Sequence, residues 1–227
     1  MKKKSVILFI ADQLLGIAGM AAALFWSAGR VDWPPAWAAV GVWLSWYALM
    51  DFLLLRRSPD LLAERLAPPK GAKGWDRAIL SVLRLSQLAR YILAGLDQRW
   101  GWTSGFPLFV QAAAPAACVL GYALFEWAMA SNPFFSQIVR IQTDRGHTVA
   151  TGGPYRWVRH PGYAAMIVFE LAISAVFASW WALLAGGGCA LLFVLRTILE
   201  DRTLRVELSG YAEYAQRVRF RLLPGIW

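Results

Sequence analysis

The amino-acid sequence predicts an all-α fold: a polytopic membrane helix bundle with about six transmembrane helices and its polar residues gathered at one face. Three observations carry this. The 227 residues are 58% hydrophobic and 16% charged, with a mean hydropathy of +0.45, outside the soluble range of about half apolar and about a quarter charged residues. The apolar residues fall into runs long enough to cross ~30 Å of hydrocarbon as helices. Thirteen tryptophans suit the headgroup boundary, which indole rings favour. A formal net charge of +9 would suggest nucleic acid in a soluble chain. In a membrane protein cationic cytoplasmic loops account for it, and no nucleic-acid partner is expected.

Taken in order, Lys2, Lys3 and Lys4 precede an apolar run over residues 6–26. Its length, and the interruption by Asp12 and Gln13, make it a first span rather than a signal peptide. A turn with Arg30, Asp32, Trp33, Pro34 and Pro35 leads to a second span at 36–55. Residues 56–77 carry Arg56, Arg57, Arg65, Lys70, Lys73 and Arg77 around Pro68-Pro69-Lys70-Gly71, a cytoplasmic loop by the positive-inside rule.

Residues 78–96 contain Arg84, Gln87 and Arg90. An arginine at the bilayer centre costs ~2.5 to 3.5 kcal/mol on insertion scales. The segment must nonetheless cross, because otherwise the basic stretch with Arg140, Arg145, Arg156 and Arg159 would lie outside. Arg84 and Arg90 are then expected to face the bundle, and Asp12, Asp51, Glu126 and Glu170 either pair with them there or lie near an interface where their cost is small. A fourth span covers 106–130, and two short ones, 163–179 and 181–199, form a tight hairpin. Gly186, Gly187 and Gly188 in the last span read as close helix packing. The tail, residues 201–227, carries Arg202, Arg205, Arg217, Arg219 and Arg221. It reads as an amphipathic helix on the cytoplasmic face ending at Leu223-Pro224-Gly225. Six spans put both termini in the cytoplasm of a multi-pass cell-membrane protein. The division expected is 1–130, four N-terminal spans, and 131–227, a core of loop, hairpin and tail.

Residues 151–163, TGGPYRWVRHPGY, are the most polar and most punctuated stretch. Gly152, Gly153, Pro154 and Pro161 break helical continuity. Turns and a helix start therefore present Tyr155, Arg156, Arg159, His160 and Tyr163. That helix is expected to begin at Pro161, whose fixed φ suits the first helical position. Both histidines, His147 and His160, lie in or just before the stretch. Cys118 and Cys189 sit in apolar runs without metal-ligand or disulfide spacing, so no metal is expected and both read as packing residues.

His147-Thr148-Val149-Ala150, GGPY, Arg159-His160-Pro161-Gly162-Tyr163, and then Arg196, Glu200, Gly210 and Tyr214 resemble the isoprenylcysteine carboxyl methyltransferase and phospholipid methyltransferase family. The resemblance covers residues 140–227, about two fifths of the chain. It implies an integral-membrane enzyme that transfers a methyl group from S-adenosyl-L-methionine, bound at a cytoplasmic site, to a lipophilic acceptor such as the carboxylate of an isoprenylcysteine. It further implies that Gln142, His147, Thr148, Val149, Ala150, Tyr155, His160, Pro161, Gly162, Tyr163 and Glu200 hold the cofactor. Arg196, Glu200 and His160 would act at the reacting centre, Arg196 holding the acceptor carboxylate with a bidentate fork. Two departures stand out: Asp201 where many relatives carry a second Glu, and Ala150 where a larger aliphatic is common.

The residue types suit the chemistry. A donor of this kind needs hydrogen-bond donors for a carboxylate, an acceptor for an ammonium, and an aromatic face or carbonyls for a sulfonium. His147, His160, freed backbone amides, Tyr155, Tyr163 and Glu200 supply them. Arg196 and Glu200, four residues apart, would otherwise read as an intrahelical pair worth ~0.2 to 0.5 kcal/mol. An amine or thiol acceptor is the alternative, an amine requiring Glu200 or His160 as base. A second alternative is an NADPH-dependent sterol-type reductase, with Arg156, Arg159 and Arg202 on the extra phosphate. A transporter would place charges at the midplane in paired halves, whereas the polar residues here cluster at one face. Membrane lipids are the remaining partners, with Arg56, Arg57 and the tail arginines as headgroup anchors.

Overall fold

The computed structural model describes residues 3–57, 59–66 and 71–227. Lys2 and the Pro68-Pro69-Lys70 centre lie outside the described residues, as do the side chains of Lys3, Lys4 and Arg57. The helices in order are α1 (Lys3–Ala28), α2 (Pro34–Arg57), α3 (Pro59–Leu66), α4 (Gly74–Trp100), α5 (Leu108–Ala130), α6 (Pro161–Ala175), α7 (Trp180–Glu207) and α8 (Tyr211–Arg217). Five of them, α1, α2, α4, α5 and α7, are long and apolar enough to cross a membrane. Their outer faces are apolar: Leu8, Leu15, Leu120, Leu184 and Leu191 are each more than half exposed. Bare leucine over several helices suits a hydrocarbon solvent and would be a liability in water.

α6 falls short of the sixth span expected at 163–179. Its 15 residues rise ~22 Å against ~30 Å of hydrocarbon. The chain turns at 176–178, with Ala178 at φ 52°, and Ser179 caps α7 by accepting a bond from Ala182 N at 3.1 Å. The hairpin is as tight as expected. Gly186 makes its packing possible, because a Cβ there would meet the Glu170 carbonyl at 2.8 Å. Gly187 and Gly188 face open space, so one glycine of the three serves the contact. Gly121 does the same for α5, a Cβ there lying 3.1 Å from Phe169 Cβ.

α4 extends beyond 78–96 at both ends and packs between α1 and α7. Arg90 is fully buried and paired with Glu170, which also accepts from Gln87 Nε2 at 2.6 Å. Arg84, expected to face the bundle, is exposed instead. The two arginines are six residues apart, about 120° around the helix, so one narrow interface cannot take both. Of the proposed acidic partners, Glu170 alone takes Arg90. Asp51 accepts from Gln13 at 3.1 Å, Glu126 accepts from Trp46 Nε1 at 2.9 Å, and Asp12 is exposed.

The alternation of directions sorts the loops. The α1–α2, α4–α5 and α6–α7 turns share one end, where Trp102 meets Trp181 and Phe106 meets Trp180. The other end gathers α3, residues 131–160, the end of α7, and α8. The tail there is not one amphipathic helix. α7 continues to Glu207, Gly210 at φ +79° allows the turn into the short α8, and residues 218–227 fold back without helix. Phe220 O and Arg221 O accept from the amides of Arg159 and His160, each at 2.9 Å.

Candidate active site

The wall formed by residues 131–160 is irregular because the sequence denies it helix, and each bend is locally satisfied. The first bend is a 3-10 turn, Thr143–Arg145, closed by Gly146 at φ 64°. His147 N donates to Gln142 O at 3.2 Å, and Gln142 N donates to His147 Nδ1 at 3.3 Å. Gln142 is buried, donating to Phe134 O at 2.7 Å and accepting from Arg145 at 2.6 Å. His147 lies against Phe134, with ring centroids 4.6 Å apart. Burial, then Arg140 and Arg145, hold the His147 imidazole below its ordinary value, so it is neutral at pH 7 and its Nδ1 is free to accept.

The next segment is extended, and the amides of Thr148, Val149 and Ala150 make no hydrogen bond within the chain among the described residues. Thr148 is exposed and Val149 and Ala150 are half-buried, so these three amides are open to solvent or to a molecule in the adjoining cavity. The second turn, Gly153–Arg156, needs Gly153 at φ +53°. It seats Tyr155, whose hydroxyl accepts from Asn132 Nδ2 at 3.3 Å and whose carbonyl accepts from Tyr214 at 2.7 Å. Burial pushes the Tyr155 phenol well above its ordinary value.

α6 starts at Pro161 with His160 as the capping residue, as the sequence predicts. His160 Nε2 is 3.3 Å from Asp201 Oδ1 and 3.2 Å from the Tyr211 hydroxyl. Asp201, fully buried, is a node: it also accepts from Arg159 Nε at 2.7 Å, Tyr211 at 3.0 Å, and Arg205 and Arg221 at 3.1 Å each. Tyr163 stacks on His160 at 5.8 Å and donates its hydroxyl to Glu200.

These pieces enclose one cavity of about 340 Å³. Its polar end is lined by His147, Thr148, Val149, Ala150, Tyr155, His160, Gly162, Tyr163, Arg196 and Glu200. Its other end is aromatic and apolar, with Trp43, Trp46, Met50, Phe125, Phe135 and Met166 from α2, α5, α6 and the 131–160 loop. Gln142 and Pro161 do not line it. Gln142 braces the His147 turn from behind, and Pro161 sets the start of α6. Cys118 and Cys189 are free and buried, and no cluster of three potential metal ligands occurs among the described residues.

Two arginines beside the cavity are held by carboxylates. Arg196 and Glu200 do not pair, although four residues separate them. Arg196 forks onto Asp76, with Nε to Oδ1 at 2.7 Å and Nη2 to Oδ2 at 3.3 Å, and its Nη2 also donates to Gln137 O at 2.8 Å. The guanidinium still sits 5.2 Å above the Tyr163 ring, so it borders the cavity with its hydrogen-bonding face occupied. Arg159 is likewise buried on Asp201, which removes it as a phosphate ligand, while Arg156 is exposed.

Sequence reasoning missed Asp76, Asp201, Tyr211 and Arg65. Asp76 reads as an ordinary acidic residue in a helix's first turn, and nothing local points to a partner 120 residues away. Arg65 reads as one of many loop cations. Its only signal is the pattern PDLLAERL, in which Leu61 and Leu62 are spaced to bury one side of a short helix, and both do.

Such a cavity, with a polar and an aromatic part in a bundle with five helices long and apolar enough to cross a membrane, has the form of a site in a membrane protein that could take both a polar and an apolar ligand. Comparison with known proteins is consistent with that class. Residues 113–206 match the model of the isoprenylcysteine carboxyl methyltransferase (ICMT) family. A curated relative, protein-S-isoprenylcysteine O-methyltransferase B of Arabidopsis thaliana, is 26% identical over 127 residues, covering 55% of this chain and 60% of that protein. The chain thus spans about 60% of the length of the relative it matches. Over residues 113–206 the chain is thus similar to the isoprenylcysteine carboxyl methyltransferase family, in keeping with the resemblance of its C-terminal motifs.

Proposed function

We propose that the protein is an integral-membrane carboxyl methyltransferase that takes S-adenosyl-L-methionine at the loop end of the cavity and a lipophilic, isoprenylcysteine-like acceptor at the aromatic end. The observation that supports this best is the single cavity, in which a polar wall with unpaired amides runs into an aromatic one. Residues 131–227 contribute the donor wall, and residues 1–130 contribute Trp43, Trp46, Arg65 and Phe125 to the acceptor end. The basic loops near the cavity support a cytoplasmic side for that end and for both termini, by the positive-inside rule.

The residues present fit the cofactor. Free amides at 148–150 offer donors to a carboxylate or to an adenine edge. His147 is a neutral imidazole, and Glu200 keeps one carboxylate oxygen clear of the Tyr163 hydroxyl to accept from an ammonium or ribose. When bound, S-adenosyl-L-methionine supplies a methyl group made electrophilic by the adjacent sulfonium. The chain's own part is to hold both reactants in line and to exclude water. A carboxylate acceptor is ionised at pH 7, so no side chain need remove a proton. With an amine acceptor, Glu200 or the unbonded Nδ1 of His160 would have that task.

Calorimetric titration of the detergent-purified protein with S-adenosylhomocysteine and, separately, with NADPH tests the reading. Saturable binding of the former alone is expected. Binding of NADPH alone would move the chain to the reductases and sink the proposal.

A further inference from the structure

Four arginines line the cavity, and three of them are engaged by carboxylates. Arg140 lies 3.0 Å from Asp144, Arg159 lies 2.7 Å from Asp201, and Arg196 lies 2.7 Å from Asp76. Arg65 has no carboxylate within 4.0 Å among the described residues. Its Nη1 and Nη2 rest 2.9 Å from Met50 Sδ and 3.1 Å from Met129 Sδ, and its buried Nε has no partner. Thioethers are weak acceptors, so the whole guanidinium is underused. Of the acids around it, Glu64 accepts from Ser136 at 2.8 Å, and Glu126 accepts from Trp46 through Oε1 while its buried Oε2 has no partner and lies beyond ion-pair distance of Arg65 among the described residues.

Arg65 is half-buried, with its Nε fully enclosed, and a cation withdrawn from water without an anion loses hydration that nothing returns. Burial draws Arg65 below its ordinary value, yet a guanidinium keeps its charge. Leu61 and Leu62, almost fully buried on α3, fix the helix that carries it. The residue is therefore held, charged and unsatisfied, beside the aromatic end of the cavity.

We propose that Arg65 is the anion subsite of the acceptor, receiving the carboxylate of an amphiphile whose apolar chain lies along Trp43, Trp46, Phe125 and Met166. One fork without neighbouring free cations matches a monoanion with two coplanar oxygens; a phosphate would call for more charge. Met50 and Met129 are flexible enough to move aside. This deepens the proposed function and rests on it, because it gives Arg65 the task that the resemblance would give Arg196.

The test uses the full chain in detergent. Calorimetry measures binding of N-acetyl-S-farnesyl-L-cysteine, of its carboxamide, and of S-adenosylhomocysteine. Wild type is expected to prefer the carboxylate by about tenfold or more. Arg65→Gln should erase that preference by weakening the carboxylate alone, with S-adenosylhomocysteine affinity unchanged, and Arg65→Lys should keep part of it. Equal affinity for the two amphiphiles in wild type, no binding of either, or an intact preference in Arg65→Gln would overturn the proposal. So would a loss confined to S-adenosylhomocysteine, which would make Arg65 a ligand of the donor's carboxylate. Should Arg65→Gln not fold, the wild-type preference and Arg65→Lys decide the matter: a reduced preference in Arg65→Lys with S-adenosylhomocysteine affinity unchanged supports the fork, and an undiminished one overturns it. Failure of wild type to bind S-adenosylhomocysteine sinks the methyltransferase reading separately, since the carboxylate preference is read from acceptor binding alone.

Discussion

Arg196 Nε lies 2.7 Å from Asp76 Oδ1, a contact across 120 residues that ties the membrane-exit turn of α7 to the first turn of α4. Asp76 Oδ2 also accepts from Val139 N at 2.8 Å, so the same carboxylate holds the loop wall of the cavity. Removing one partner of a buried pair strands the other. Asp76→Ala or Arg196→Ala should each cost about 3 to 5 kcal/mol. The double variant should cost clearly less than the sum. Thermal unfolding in detergent reads this, and simple additivity would mean that the pair does not brace the site.

Asp201 collects Arg159, Arg205, Arg221, Tyr211 and His160. Asp201→Ala leaves the Arg159 guanidinium buried without an anion, and should cost about 3 to 5 kcal/mol. Because His160 shares the node, the variant should also weaken S-adenosylhomocysteine binding. Asp201→Glu, which keeps the carboxylate, should keep much of both. A melting temperature unmoved by Asp201→Ala would show the node to be redundant.

His147 gives the site a pH dependence whose sign follows from geometry. Its Nδ1 accepts from the Gln142 amide, so a proton on Nδ1 breaks the turn. Burial, Arg140 and Arg145 place its titration below the ordinary histidine value. The unfolded chain then binds a proton before the folded one does, and the stabilisation is lost as pH falls from about 6.5 through the lowered value. Donor affinity should be flat from neutral pH down to that point and decline below it, and His147→Asn should flatten the decline. An affinity that instead rises on acidification would contradict the assigned tautomer.

Much of this was legible in the sequence, for reasons that also explain the rest. Long apolar runs and Pro/Gly punctuation are local, so the helices, the hairpin and the start of α6 at Pro161 could be placed. The motif residues from His147 to Glu200 meet at one cavity because they lie on three consecutive pieces ending at one face. What escaped depends on contacts between distant segments. Arg84 and Arg90 look alike until helix phase separates them. The Arg196–Asp76 pair displaces the Arg196–Glu200 pair because a fork onto a buried carboxylate on α4 has better geometry than a neighbour four residues away on one helix. α3 was hidden in a basic loop because eight residues give too short a pattern to read.

Glu200 is the acid on the cavity wall whose accepting capacity is only partly used, by the Tyr163 hydroxyl. If it accepts from the donor's ammonium or ribose, Glu200→Gln removes a charge-assisted bond worth about 1.5 to 3 kcal/mol, or roughly a ten- to hundredfold loss of S-adenosylhomocysteine affinity. Because Glu200 is not ion-paired with Arg196, the substitution should leave the melting temperature nearly unchanged and the acceptor's carboxylate preference intact. His160→Ala is expected to lose donor affinity as well, but with a lower melting temperature, since it also opens the Asp201 node. Calorimetry and thermal unfolding on the two variants separate these cases. Full donor affinity in both would remove Glu200 and His160 from the site and leave His147 and the amides of residues 148–150 as its polar ligands.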